Sequence, residues 1–403
     1  MFRHPTPLST LTESVRMTVP TAIALGVLAV VILEGISWTI SVFSESILSR
    51  PIPRRGKFLD DQTRQLDRLL HGEPFRSKLH PIRGWCYNDG RIFEGEYINA
   101  QGVRGERLYA ADPAPGIERI AAFGDSYVYG TETADHESWT HQIEAHWRAE
   151  VLNYGIGGYS VDQALLHYRE QGARLKPRLV LLGFTTMMAT RVVSCYRRFE
   201  HSRDGVLFKP RFVLEGEGLR LIPTPVPSVE AAEHLLAEPA SVAEFGPNDF
   251  WFLPALFDSW PYRVSATYRL IAYNWFRYHR RHLHPDRIYT GHTLNPRSES
   301  FRILSRIYRE FAAEVRRNGS EPVALMLPTR SDLDLYAEHG SAAYDTLRAE
   351  LEADGLRVID LAPAFPPPPA LDELFNSHGH YTPKGNAVAA DAIARALNFQ
   401  PKS

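Results

Sequence analysis

Two stretches at opposite ends of this 403-residue chain carry side chains that could do chemistry together. In RIAAFGDSYVYG, Arg119 to Gly130, a short apolar run ends in Gly-Asp-Ser, and a glycine follows four residues after Ser126. Gly124 and Gly130 permit a tight backbone there. In SHGHYTPKGNAVAADAIARAL, residues 377–397, His378 and His380 lie on a loop before a helix that Pro383 helps to open. A serine hydroxyl is a weak nucleophile until a neighbouring base takes its proton, and histidine does this near neutral pH. If a helix begins behind Ser126, its free N–H groups would stabilise negative charge developing nearby. A serine in Gly-Asp-Ser is, taken alone, equally well a helix N-cap. Asp125 reads as a support of the turn through backbone hydrogen bonds.

A serine and a histidine 254 positions apart meet only if the fold delivers both to one edge. Apolar runs at 119–124, 150–155, 179–184, 322–328 and 356–362 read as buried strands, short and rich in Val, Ile and Leu. Helical patterns occupy 138–150, 161–175, 298–319 and 342–355, the last stopping at Gly355. The alternation predicts a parallel sheet with helices on both faces. Sites in such sheets lie outside the carboxyl ends of the strands. Ser126 after the first strand and a loop histidine after the last then share one side.

Residues from about 192 to 298 break the alternation and read as an insertion. It contains a hairpin pattern at 208–228 with a proline-rich exit, and an aromatic, basic helix at 262–285. The scattered charges of that helix suggest a solvated face packed on the insertion, rather than a surface lying on lipid or polysaccharide. FPPPP at 365–369 reads as a short rigid connector.

A formal net charge of −2 gives no electrostatic reason to expect a nucleic-acid partner. The two cysteines, Cys86 and Cys195, make no disulfide framework or metal-binding spacing; they are either one bridge or two buried thiols. Residues 19–43 are almost unbroken apolar sequence around one charge, Glu34, and exceed the ~20 residues that cross a bilayer. With no clear cleavage site after it, this segment reads as a signal anchor rather than a removed signal peptide. Arg3 and Arg16 precede it, and Arg50, Arg54, Arg55 and Lys57 follow. That bias alone would leave the body cytoplasmic, but long domains translocate largely regardless of charge. The layout expected is a tail at 1–18, the span at 19–43, a stalk at 44–96 and a body at 97–400.

The serine and histidine blocks together resemble the SGNH/GDSL hydrolases. FGDSYVYG is similar to that family's first block, NYGIGGYS to its second and GHYTPKGNAVAADAI to its last. NAQGVRG at 99–105 and GYSVDQALL at 158–166 resemble its membrane-anchored bacterial branch. The resemblance implies a three-layer α/β/α, flavodoxin-like fold and ester hydrolysis through an acyl-serine. It implies Ser126 as nucleophile, His380 as base, and the Ser126 and Gly158 backbone N–H groups as oxyanion donors. No metal or organic cofactor is implied. The expected partners are an ester substrate, such as an O-acetylated cell-surface glycan, and the membrane. The body is expected outside the cytoplasm.

Two positions depart from the family. Its third block carries an asparagine that donates to the oxyanion; here the third strand runs into Thr185, Thr186, Met187 and Met188. Threonine donates a hydrogen bond and methionine does not, so Thr185 or Thr186 remains as the side-chain donor. Asn248 of GPND follows no buried strand and reads as coincidence. The family's aspartate, two or three residues before the histidine, is Ser377 or His378 here. Asp332, Asp360, Asp372 or Glu373 could substitute, or a backbone carbonyl could hold His380. These losses leave open a retired hydrolase that binds glycan or serves assembly. An acyltransferase is the further alternative.

Overall fold

The five apolar runs become five parallel strands. The computed structural model describes residues 18–48, 51–71, 77–201 and 205–402. Its strands β1 (Glu118–Gly124), β2 (Ala149–Gly155), β3 (Leu179–Phe184), β4 (Glu321–Met326) and β5 (Arg357–Asp360) form one sheet of order β5-β4-β3-β1-β2. The chain passes from β1 to β2 on one side and then crosses back to β3 on the other. The carboxyl ends of β1 and β3 therefore flank the switch point, where open sheets form a crevice.

Successive side chains along each strand point to opposite faces. Ala121, Phe123, Leu152, Tyr154, Val180 and Leu182 enter one core, while Ile120, Ala122, Val151, Leu179 and Leu181 enter the other. The longer helices, and the turn that follows β1, are in chain order α1 (Val19–Val42), α2 (Arg55–His71), α3 (Ser126–Tyr129), α4 (Trp139–His146), α5 (Val161–Gln171), α6 (Val229–Ala237), α7 (Trp260–Val264), α8 (Ala266–Tyr278), α9 (Glu299–Arg317), α10 (Arg330–His339), α11 (Asp345–Ala353) and α12 (Pro383–Ala396). Helices α5, α9 and α11 cover the first face, and α4 and α12 the second. In α9 the residues Phe301, Leu304, Tyr308, Phe311 and Val315 recur at helical spacing and are all buried. Burial of each such side chain stabilises the fold by about 1.5–3 kcal/mol. The result is the three-layer α/β/α arrangement expected.

The outer boundaries depart from the sequence reading. Residues 147–150, expected as helix, leave α4 and enter β2 at Ala149. Helix α10 was not anticipated; among its residues only Asp332 and Leu333 are buried, too few for an apolar stripe. Residues 55–71, expected as part of a stalk, pack against the insertion instead. Phe58 and Leu66 of α2 join Tyr196, Phe208 and Leu235 in one cluster. Gln62 on the same face donates to Pro239 O at 3.0 Å and accepts from the Tyr196 hydroxyl at 3.1 Å. The anticipated hairpin is Arg211–Glu215 paired with Gly218–Ile222. Cys86 and Cys195 are free, buried thiols.

Helix α1 is long and apolar enough to cross a membrane, with mean hydropathy 2.2. The tail with Arg3 and Arg16, and the flanking Arg50, lie outside the described residues.

Candidate functional site

Ser126 sits at the first position of α3, directly after β1. Three glycines at neighbouring strand ends let this turn lie close on the sheet. A Cβ at Gly124 or Gly183 would stand 2.4 or 2.3 Å from the Val128 side chain, and one at Gly155 would stand 2.3 Å from Tyr129 N. Real contacts of that kind do not occur, so α3 requires these glycines. Asp125 caps the turn: its carboxylate accepts from Tyr127 N at 3.0 Å. Asn153 of β2 holds the other end, donating to the carbonyls of Val128 and Tyr129 at 3.0 and 3.1 Å.

The Ser126 hydroxyl lies 2.9 Å from Nε2 of His380. On the far side of the ring, Nδ1 is 3.0 Å from Oε2 of Glu132. A carboxylate only accepts, so Nδ1 carries the proton and Nε2 is left to accept from the serine. Glu132 appears nowhere among the acids expected from sequence. Asp332 is engaged by Thr186 and Thr329, Asp360 by Tyr344, Asp372 by Arg330 and Glu373 by Lys384. His378, where the family's acid would lie, instead donates from Nδ1 to the other oxygen of Glu132 at 2.7 Å.

Two further residues hold Glu132 and its loop in place. Its φ is +68°, a left-handed backbone unusual for a residue with a Cβ. Arg104, buried, donates to the carbonyls of Tyr129, Gly130 and Thr133 and to Asp135, and so clasps the loop on both sides of Glu132. Asn376 donates to Glu132 Oε2 at 2.7 Å while its oxygen accepts from the backbone of His378 and His380 at 3.0 Å each. Burial alone would raise the Glu132 pKa; the hydrogen bonds from His380, Asn376 and His378 outweigh it and hold the carboxyl below its ordinary value.

The Tyr127 ring packs 5.5 Å from the His380 ring, and its hydroxyl donates to Gly379 O at 2.7 Å, fixing the histidine loop. Tyr129 is buried against Tyr87. Gly158, in the loop after β2, has φ +81°, where a residue with a side chain would be strained. Trp85 donates from its indole to Gly157 O at 3.1 Å and steadies that loop.

The two threonines are not placed as oxyanion donors. The Thr185 hydroxyl donates to Asp125 Oδ2 at 2.8 Å and is wholly buried, and that of Thr186 donates to Asp332 Oδ1 at 2.6 Å. A hydroxyl has one proton, and both are committed to carboxylates. The cation at this end of β3 is Arg191, which donates to Asp125 Oδ2 at 3.3 Å and to Tyr159 O at 3.1 Å. It thus touches the neighbour of Ser126 and the neighbour of Gly158. Met188 is buried and Met187 lines the cavity. Asn248 is not among the cavity residues, while the adjacent Asp249 is a buried acceptor for Ser194, Cys195 and Tyr196.

His380 opens into a cavity of about 1110 Å³, walled by Tyr127, Trp251, Arg277, Arg280 and Tyr289. A serine, imidazole and carboxylate hydrogen-bonded in line are arranged to move the serine proton onto the ring, and the ring lines this space. Sequence reasoning missed Glu132, Asn376 and Arg104 as parts of this line; only Arg104 lay in a quoted motif.

Comparison with known proteins adds the following. No protein-family model matches the chain, and no curated protein matches it. Solved structures that match include a lipase/acylhydrolase from Enterococcus faecalis, at 15% identity and TM-score 0.33, over 71% of this chain and 100% of that one. A GDSL-like lipase from Bacteroides thetaiotaomicron matches at 12% and 0.32, over 70% and 88%. An acetyl-xylooligosaccharide esterase from a Geobacillus matches at 12% and 0.36, over 70% and 95%. The solved structures that match are thus described as lipases and acylhydrolases of the GDSL type and as esterases of acetylated xylan.

Proposed function

We propose that this protein hydrolyses ester bonds through an acyl-serine intermediate, with Ser126 as nucleophile, His380 as general base and Glu132 as the carboxylate that orients the ring. The observation that carries this reading is the continuous Ser126–His380–Glu132 hydrogen-bonded line, whose imidazole lines a cavity. His380 takes the hydroxyl proton as Ser126 attacks the ester carbon, and Glu132 stabilises the resulting imidazolium. The carbonyl oxygen gains charge facing the Ser126 and Gly158 N–H groups. His380 then returns the proton to the leaving alcohol. Water, deprotonated by the same nitrogen, then attacks the acyl carbon; the bond to Ser126 Oγ breaks, the imidazolium returns its proton to that oxygen, and the acid leaves.

Arg191 is our candidate for the missing asparagine's electrostatic role, since it lies against the neighbours of both backbone donors. Our proposed ester is an acylated glycan. The cavity exceeds the range of about 300–1000 Å³ of ordinary small-molecule sites, and Tyr127, Trp251 and Tyr289 give it aromatic walls. The test is acetate release from acetylated oligosaccharides by the full chain in detergent, beside Ser126→Ala. Release that the variant abolishes supports the reading. The absence of a threonine donor favours one second reading, a glycan-binding protein on a hydrolase fold. Binding of the same oligosaccharide, undiminished by Ser126→Ala and without acetate release, would establish it instead.

A further inference from the structure

Helix α8 is amphipathic in the reverse of the usual sense. Arg269, Tyr273 and Arg277, four residues apart, are its buried face, with Arg269 8% and Arg277 5% exposed. Trp260 and Val264 of α7 are exposed, and α8 carries Tyr268, Ile271, Trp275 and Tyr278 outward, at the three- and four-residue spacing of one helical stripe. Trp260 is 64% exposed, Ile271 62% and Trp275 58%. A water-facing helix turns its charges outward; this one turns an indole, two phenols and an isoleucine outward.

The start of α8 packs against α1. Glu34, the one charge of that helix, accepts at the start of α8 from the Ser265 hydroxyl, from Ala266 N at 2.8 Å and from Thr267 N at 3.3 Å. The Thr267 hydroxyl donates to Ser37 Oγ at 3.0 Å. Ser37, Ser41 and Ser44 are buried, while Ile36, Trp38 and Val42 beside them remain exposed. The small polar side of α1 thus faces the protein and its apolar side faces outward. Glu34 lies eight residues before the end of α1, about 12 Å along its axis. A carboxylate at that depth is costly unless partnered, and the N-terminal N–H groups of α8 partner it.

We infer that α7 and α8 are a second membrane element, seated in the interfacial layer of the leaflet beside a retained α1, with lipid as the occupant of the aromatic stripe. Tryptophan and tyrosine prefer that layer, and such helices sink about 5–10 Å into it. The end of α8 and the residues after it, Arg277, Arg280 and Arg281, wall the cavity that His380 opens into. The cavity therefore stands about 20 Å, one α8 length, from the membrane-spanning helix, and takes its substrate at the bilayer surface. Removal of α1 as a signal peptide would leave the start of α8 without its carboxylate.

The test uses the full chain in phosphatidylcholine nanodiscs, with and without lipids brominated on the acyl chain. Of seven tryptophans, the contribution of two is isolated by comparing the protein with Trp260→Phe/Trp275→Phe, and that of α1 with Trp38→Phe. The expected result is that the Trp260/Trp275 contribution loses most of its intensity to brominated lipid, as does that of Trp38. If Trp38 is quenched and the pair is not, the stripe lies off the membrane and the proposal fails with the span intact. If neither is quenched, the span fails and the proposal with it. A pair that escapes bromine yet emits as a buried indole is covered by protein, a second copy or a partner, and that also overturns lipid as the occupant.

Discussion

Glu132 is the residue on which the proposed chemistry turns, and it is the one the sequence hid. Ser126 and His380 are legible because each adjoins a recognisable element: Ser126 follows a buried strand and His380 precedes a helix start. Glu132 sits in an irregular loop with a left-handed backbone, and nothing in its neighbours' spacing marks it. Its reach depends on Arg104, 28 positions earlier, and on Asn376, 244 positions later. With the orienting carboxylate neutralised, Glu132→Gln is expected to lower kcat by roughly 10²–10⁴, because the ring loses its preferred tautomer and its counter-charge. Stopped-flow turnover of p-nitrophenyl acetate measures this. Replacing Asp332 or Asp372 should leave turnover far less affected.

The pH dependence follows from the same contacts. Glu132 has a folded pKa below its ordinary value. Its contribution to holding the 376–380 loop is therefore complete at and above the usual glutamate range, and is lost as pH falls through the lowered value. Thermal unfolding of the wild type followed from neutral to acid pH should show a drop that Glu132→Gln does not share. Arg191→Met removes the cation beside the two backbone donors. If Arg191 replaces the absent asparagine, kcat falls by about 10²–10³ with little change in KM.

Among the elements, the sheet was legible and its attachments were not. Continuous apolar runs announce β1 to β4 because both faces of those strands are buried, while β5 at the sheet edge fully buries only Ile359. The GYSVDQALL block reads as a family signature, and its packing gives a physical reason for the pattern. Asp162 pairs with Lys209 of the insertion at 2.5 Å, with both side chains wholly buried. Gln163 donates to Arg83 O at 2.8 Å and ties in the segment before the body. Burial raises the Asp162 pKa and lowers that of Lys209, against the pull of each on the other. Lys209→Met leaves that carboxylate buried without its partner. It should cost about 3–5 kcal/mol, measured by chemical denaturation in detergent. The stalk expectation failed at this scale too. The i, i+4 spacing of Phe58, Gln62 and Leu66 was visible in α2, but no pattern in one helix names the surface that covers it.

At the scale of the molecule, the basic aromatic helix shows what periodicity leaves open. The spacing of its residues fixes which side chains share a face, and only the tertiary fold decides which face is covered. Reading the charges as the outward side was reasonable for a soluble helix and is reversed in α8. A chain starting near residue 45 loses Glu34 and Ser37 from the start of α8, while Trp260, Ile271 and Trp275 stay bare. It should aggregate without detergent, seen by size-exclusion chromatography, whereas the full chain in detergent elutes as a discrete species.

The central claim is that Ser126 is an activated nucleophile. The most direct measurement treats the full chain in detergent with a fluorophosphonate probe, beside Ser126→Ala, His380→Ala and Glu132→Gln. One labelled peptide, containing Ser126, is expected, with labelling absent in the first variant and strongly slowed in the other two. A folded protein that takes up no probe, or labels equally without His380, would contradict it.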